Sequence, residues 1–514
     1  MKRNNRLQDA ALLLPLVFAL ASCGNIYDLL GRGSSYDTGS IYVPPVTSDG
    51  YYTEDNATPF TYKDIMQSTG LDALPSTGSY TVLVLPIEFT DFRFTEQEIS
   101  DLETVLNAED GTGYWESLHS YYYESSYGQL DVHFELAPIY DSGMTSETAY
   151  RRYAVNSSSD FGTTLVNSAL AEYKKDHSTK SLDTDSNGNI DGVIGVYSCP
   201  NYESGELPFN DAAGFFWAYT YWAMEAPSSV SPTLNLYFFM SIDFIYSESG
   251  GLDCHTLAHE FGHMLGLDDY YPTDYNPAPY NTYFATGWLQ MMDGNILDHD
   301  PFSKVALGWI DPIVVLDDCT IEIESSATSP NAILVPTASW NGTAFDEYLV
   351  IDLYTPEGLN YLDSHETYIG RPRGYTREGI RVYHVDARLV EINVNSNGNY
   401  SYEYYSGTKL NPSPTRGYSV AATNSQKSNA YADIDYSLLN LIDKESALSL
   451  SNPFFDNGAA DNDSLFYAGD TFALSRYMNF FPERTTMNNG YSLDWSFTVN
   501  SVSDGKAVIT FDKK

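Results

Sequence analysis

Apolar and polar positions along this chain first settle into a rhythm at Tyr80-Thr81-Val82-Leu83-Val84-Leu85-Pro86-Ile87-Glu88-Phe89. This β-branched apolar run predicts a buried strand. Gln97 to Leu106 carries its apolar residues at helical spacing, and Ser117 to Tyr127 predicts a second helix, ended by Gly128. Leu130 to Leu136 alternates as a strand does, Thr163 to Lys175 reads as a helix, and Gly192 to Tyr197 as another buried strand. From Val314 onward the texture changes. Cys319 to Glu324, Ala332 to Val335, Tyr348 to Leu353, Ile380 to Val385 and Ser492 to Phe511 alternate or are β-branched, with Gly, Pro and Asn filling the gaps. The pattern predicts an α+β domain over residues 76–312, then a mainly β, sandwich-like region over 313–514 made of one or two modules.

Ahead of these elements the chain carries an address. Lys2, Arg3 and Arg6 precede the apolar stretch Ala10 to Leu20, which is too short to stay in a bilayer as a spanning helix. Leu20-Ala21-Ser22-Cys23 follows at once and resembles the lipobox of bacterial lipoproteins. That resemblance implies a signal peptide over 1–22, lipidation of Cys23, and an extracellular protein held on the cell membrane by its lipid anchor. Residues 23–75, rich in Gly, Ser, Thr, Asp and Tyr and including Pro44-Pro45, read as a tether.

Charge narrows the partners. With 26 basic and 69 acidic residues the formal charge is −43, which repels nucleic acid, so none is expected as a partner. A surface of this sign suits an extracellular life and the gathering of carboxylates around divalent cations. Cys199, Cys254 and Cys319, the cysteines after Cys23, fit no zinc-knuckle spacing and are expected as mostly buried thiols without a disulfide framework.

The chemistry is concentrated in Cys254-His255-Thr256-Leu257-Ala258-His259-Glu260-Phe261-Gly262-His263-Met264-Leu265-Gly266-Leu267-Asp268-Asp269. Its apolar residues fall at helical spacing, so His259 and His263, four apart, stand on one face and point two imidazoles at one ion. Glu260 lies beside them, placed to take a proton from an attacking water. Gly266 permits a sharp turn that brings Asp268 or Asp269 back as a third ligand. Three protein ligands with one open position is what a catalytic zinc needs. His255 sits on the same face, yet about 12 Å along the axis from His263, so a packing or supporting role is expected for it.

These residues resemble the immune inhibitor A family of secreted bacterial metallopeptidases, related to the metzincins. His259 to Asp269 matches its His-Glu-Phe-Gly-His-x-Leu-Gly-Leu-Pro-Asp pattern, with Asp268 in place of the proline. By that resemblance Asp269 is the third zinc ligand. Tyr122 to Leu130 is similar to the family's Tyr-Tyr-x-x-x-Ser-Tyr-Gly-x-Leu segment, and Ser303 to Trp309 to its Lys-x-x-x-Gly-Trp. Gly287 to Asp293 looks like its Met-turn, with Met292 preferred over Met291 as the methionine beneath the zinc. The resemblance implies an α+β metzincin-like catalytic domain and a zinc endopeptidase that acts on protein or peptide substrates, with Glu260 as general base.

Asp183, Asp185, Asn187, Asn189 and Asp191 place oxygen side chains at alternate positions around Gly188, as in the first nine positions of a calcium loop. Ile194 stands where the twelfth, bidentate glutamate belongs, which excludes a full EF-hand. A plain Asx-rich turn is the competing reading; a similar acidic loop in the family implies a structural Ca2+. Asp456, Asp461 and Asp463 form a second acidic loop. Two other functions use the same residues or discard them: a zinc amidase acting on cell-wall peptides, and a non-catalytic binding lipoprotein.

Overall fold

The computed structural model describes residues 42, 47–53, 60–154, 162–271, 285–425, 437–445, 459–477 and 486–514. The expected signal segment, Cys23 and Asp456 lie outside them. The chain forms two compact units, one of residues 70–266 and one of residues 1–69 with 267–514.

In the 70–266 unit, β1 (Gly78–Glu88) leads to α1 (Glu96–Asn107), α2 (Leu118–Ser125), β2 (Leu130–Leu136), α3 (Thr163–Tyr173), β3 (Val193–Tyr197), β4 (Tyr219–Trp222), β5 (Leu236–Ser241) and α4 (His255–Met264). Helix starts follow side-chain chemistry. Thr95 with Glu98, and Ser117 with Ser120, form reciprocal capping boxes that satisfy backbone donors at the N-termini of α1 and α2. Tyr127 and Gly128, at φ 57° and 77°, turn the chain out of α2 into β2. The strand order is β2-β1-β3-β5-β4, parallel except for β4, which runs antiparallel to β5 at one edge. β1 is buried on both faces, as parallel strands are. Its Leu83, Leu85 and Ile87, with Phe89 just beyond it, share one apolar core with Leu165, Val166, Ala169 and Leu170 of α3.

The other unit is mainly β. Its elements are α5 (Met291–Gly294), α6 (Pro301–Ala306), β6 (Ile313–Val315), β7 (Cys319–Glu324), β8 (Ile333–Pro336), β9 (Glu347–Tyr354), β10 (Gly379–Asp386), β11 (Leu389–Val394), β12 (Tyr400–Tyr405), β13 (Arg416–Val420), β14 (Leu439–Leu441), β15 (Thr471–Ala473), β16 (Trp495–Ser503) and β17 (Lys506–Lys513). Residues Tyr51–Tyr52, β6, β8, β9, β10 and β14 make a six-stranded sheet, and β7, β17, β16 and β15 a four-stranded one. One apolar core joins the two sheets, with Leu349, Ile351 and Val382 from the first and Phe497, Ile509 and Phe511 from the second. β12, β11 and β13 form a third, small sheet.

Two pieces of the segment expected as a tether are folded parts of this unit. Tyr51–Tyr52 pairs antiparallel with β6, and Tyr62–Ser68 is a helix capped by Thr61 and Asp64 that buries Tyr62 and Ile65. Compactness also groups residues 267–312 here, whereas the sequence texture joins them to the preceding α/β region. Helix α6 packs against β9, which accounts for the grouping. Among the described residues no helix is long and apolar enough to cross a membrane, and Cys199, Cys254 and Cys319 form no disulfide.

Candidate metal centre

Helix α4 is the element around which the expected chemistry is arranged. It packs on β4 and β5, and all but two of its ten residues are buried. A helix buried on nearly every side is held by its surroundings, since Cys254 at its N-cap supplies no capping bond. The Tyr122 hydroxyl of α2 donates to the Ala258 carbonyl at 2.6 Å, and the Leu74 amide donates to the Met264 carbonyl at 2.7 Å. Gly266 follows at φ 100°, the left-handed conformation the turn requires.

The structure brings His259, His263 and Asp269 together: each offers one ligand atom, and the three atoms lie within 4.8 Å of one another. The Nε2 atoms of His259 and His263 are 3.2 Å apart, with the rings nearly perpendicular at 89°. Two imidazole nitrogens bound at about 2.0–2.1 Å to a tetrahedral ion stand about 3.3 Å apart, so the pair fits zinc. Asp268 is used otherwise. It accepts from the Asp269 amide at 3.0 Å, from Ser425 Oγ at 3.2 Å, and from the Thr423 hydroxyl, which ties down residues 423–425.

Glu260 is buried, and its Oε2 accepts from the Thr220 hydroxyl at 3.0 Å. The same hydroxyl stands 3.0 Å from the Glu260 backbone carbonyl. Thr220 lies in the Trp217 to Trp222 run, which from sequence reads as core or cleft wall; nothing in the string singles it out. His255 is outside the ligand group. Its ring stacks on Trp115 at 3.7 Å between centroids, and its Nδ1 is held by the Asp253 carboxylate. The i, i+2 relation of Asp253 and His255 is a signal that sequence reading could have used.

Met292 is fully buried, and its carbonyl accepts from the Tyr270 amide at 2.8 Å, one residue beyond Asp269. Trp288, Asn295 and Leu297, at φ 66°, 54° and 62°, make this bend unusually tight for non-glycine residues. Asp293 anchors it by accepting from the Trp288 amide at 2.9 Å and from the Thr286 hydroxyl. Burial pushes the Asp293 carboxyl up to about 7 despite those bonds.

The loop of Asp183, Asp185, Asn187, Asn189 and Asp191 closes on itself. Gly188 donates to Asp183 Oδ2 at 3.1 Å, Asn187 to Asp185 Oδ1 at 3.0 Å, Asn189 to Asn187 Oδ1 at 2.8 Å, and Thr184 to Asp191 Oδ2 at 3.0 Å. The bonds from Asn187 to Asp185 and from Asn189 to Asn187 are those of two successive Asx turns, and the other two tie the ends of the loop together. Its aspartates are in neither of the two groups of His, Cys, Asp or Glu side chains that bring three ligand atoms within 4.8 Å among the described residues. Of the second acidic loop, Asp461 caps the short helix Asn462–Ser464.

No family model matches the sequence, and no curated protein matches it. Among solved structures, metalloproteinase-II from Bacteroides fragilis aligns over 40% of this chain and 48% of its own length, at 14% identity and a TM-score of 0.18. The aligned part is about half of that protein, and a likeness at this score carries no argument about function.

Proposed function

We propose that this chain is a zinc-dependent endopeptidase, exported and anchored at the membrane by a lipid on Cys23, acting on extracellular proteins or peptides. The convergence of His259, His263 and Asp269 beside the buried Glu260 carries this reading. These three residues would hold the zinc, and their donor set of two imidazoles and one carboxylate leaves a position open. Bound zinc supplies Lewis acidity toward a peptide carbonyl and eases deprotonation of water. Glu260 takes the proton from the attacking water and hands it to the departing amine, while Thr220 holds its carboxylate in place. The mostly parallel sheet with its antiparallel edge strand β4 supports the metzincin-like, immune inhibitor A-like assignment. Met292, joined to Tyr270, supports the Met-turn role. A structural Ca2+ in the 183–191 loop rests on the spacing and on the similar acidic loop of the resembled family.

The test is Glu260→Gln, assayed on casein with bound zinc measured in parallel. Zinc content should match the parent and cleavage should vanish. Cleavage at the parental rate would sink the assignment. A parent that binds zinc but cleaves neither casein nor cell-wall peptides would favour the binding lipoprotein.

A further inference from the structure

We propose a second metal site, formed by His119, Asp131 and His133, for a divalent ion of the zinc class. These residues belong to the 70–266 unit, and each offers one ligand atom within 4.8 Å of the other two, the same convergence that marks the group on α4. Their placement follows from local structure. Asp131 and His133 are two apart on β2 and so project from one face of that strand. His119, in the first turn of α2, reaches the same place because α2 packs on β2.

Distances support a ligand set. His133 Nε2 lies 3.2 Å from Asp131 Oδ1. His119 is buried, and its Nδ1 sits 2.8 Å from the Val132 carbonyl. An imidazole held by a backbone carbonyl through one nitrogen is fixed in ring orientation and tautomer, which is how metal-binding histidines are commonly prepared. Two imidazoles and one carboxylate match zinc and its borderline neighbours better than calcium or magnesium, which prefer all-oxygen sites. The exposed His133 gives an ion a way in, and a chain of charge −43 favours cation capture.

An ion here would pin α2 to β2. Through Tyr122, which donates to Ala258, that bracing reaches helix α4. The role proposed for the ion is this bracing, with its fourth position left to solvent, and the site stands whether or not the chain is a peptidase.

The experiment counts zinc. The full chain is stripped with chelator, loaded with Zn2+ alone, freed of excess by gel filtration, and its zinc measured per chain. The parent should hold two ions, His133→Ala one, His259→Ala one, and the double variant none. Because His133 is exposed, its replacement should leave the metal-free fold intact, which circular dichroism of the stripped protein verifies. A parent whose single ion is lost with His259→Ala and kept in His133→Ala, or a His133→Ala variant with undiminished zinc, overturns the second site; a single ion lost with His133→Ala and kept in His259→Ala supports it and counts against the proposed function. Loss of zinc in His259→Ala alone would overturn it while leaving the proposed function standing.

Discussion

Thr220 gives the residue scale its sharpest consequence. Its hydroxyl proton is shared between the backbone carbonyl and the carboxylate of Glu260, both at 3.0 Å. A hydrogen bond to a charged group is worth about 1.5–3 kcal/mol. If that bond holds Glu260 in register with the attacking water, Thr220→Val should lower kcat by roughly tenfold to a hundredfold. KM and zinc content should stay near parental values, and Thr220→Ser should recover most of the rate. A fall in zinc content instead would mean that the hydroxyl supports the fold of the site, not the proton transfer. Individual roles of this kind differ in how far they can be read from sequence. His259 and His263 declare themselves because four residues is one helical turn. The choice between Asp268 and Asp269 does not, because it depends on Thr423 and Ser425, more than 150 residues further on. His119 and His133 are silent in the sequence for a similar reason: only the packing of a helix on a strand brings them together.

At the scale of elements, the buried charges between β9 and β10 matter most. Asp352 and Arg381 stand opposite each other in the ladder, with Nε to Oδ1 at 3.0 Å and a second bond at 2.6 Å. Both are almost wholly buried, and Ser326 donates to the same carboxylate at 2.6 Å. Replacing Arg381 by Met leaves Asp352 in the core without its ion-pair partner, and such a break costs about 3–5 kcal/mol. Urea unfolding should show the loss for Arg381→Met, and largely recover it in the double variant Arg381→Met, Asp352→Asn, where Ser326 can still donate. An Arg381→Met midpoint equal to the parent's would refute this account. His384 belongs to the same architecture, since its Nε2 lies 2.8 Å from Glu347 on β9. Element positions were mostly legible, with Leu130–Leu136 a strand over its expected length and Thr163–Tyr173 a helix close to it. The periodicity of a half-buried strand or helix is set locally. Tyr51–Tyr52 and Tyr62–Ser68 were not legible, because two and seven residues are too few to show a period. What folds them is pairing with β6 and burial of Tyr62 and Ile65.

For the whole molecule, the balance of buried carboxyls sets a direction for stability against pH. Burial raises Asp293 and Asp346 to about 7 and Asp443 to about 6, while an unfolded aspartate titrates near 3.9. Between roughly pH 4 and 7, therefore, the folded chain binds more protons than the unfolded chain, and stability falls as pH rises through that window. Asp386 acts in the opposite sense. Burial alone would raise it, but Arg388 and Asn488 bring it below the usual range, so its contribution is lost only in acid below that window. Self-repulsion at a formal charge of −43 adds to the decline toward neutral pH and is weakened by salt. The metal-free chain should melt at a higher temperature at pH 5 than at pH 8, and added sodium chloride should narrow the gap. Asp346 offers the cleanest dissection, because its carboxylate accepts from the Glu347 and Asn341 amides at 2.8 and 2.6 Å, away from the candidate ligands in sequence. Asp346→Asn should remove about one proton, near 1.4 kcal/mol per pH unit at most, from the slope between pH 4 and 7. An unchanged slope would mean that Asp346 titrates alike in both states, and would leave the trend to Asp293, Asp443 and general repulsion.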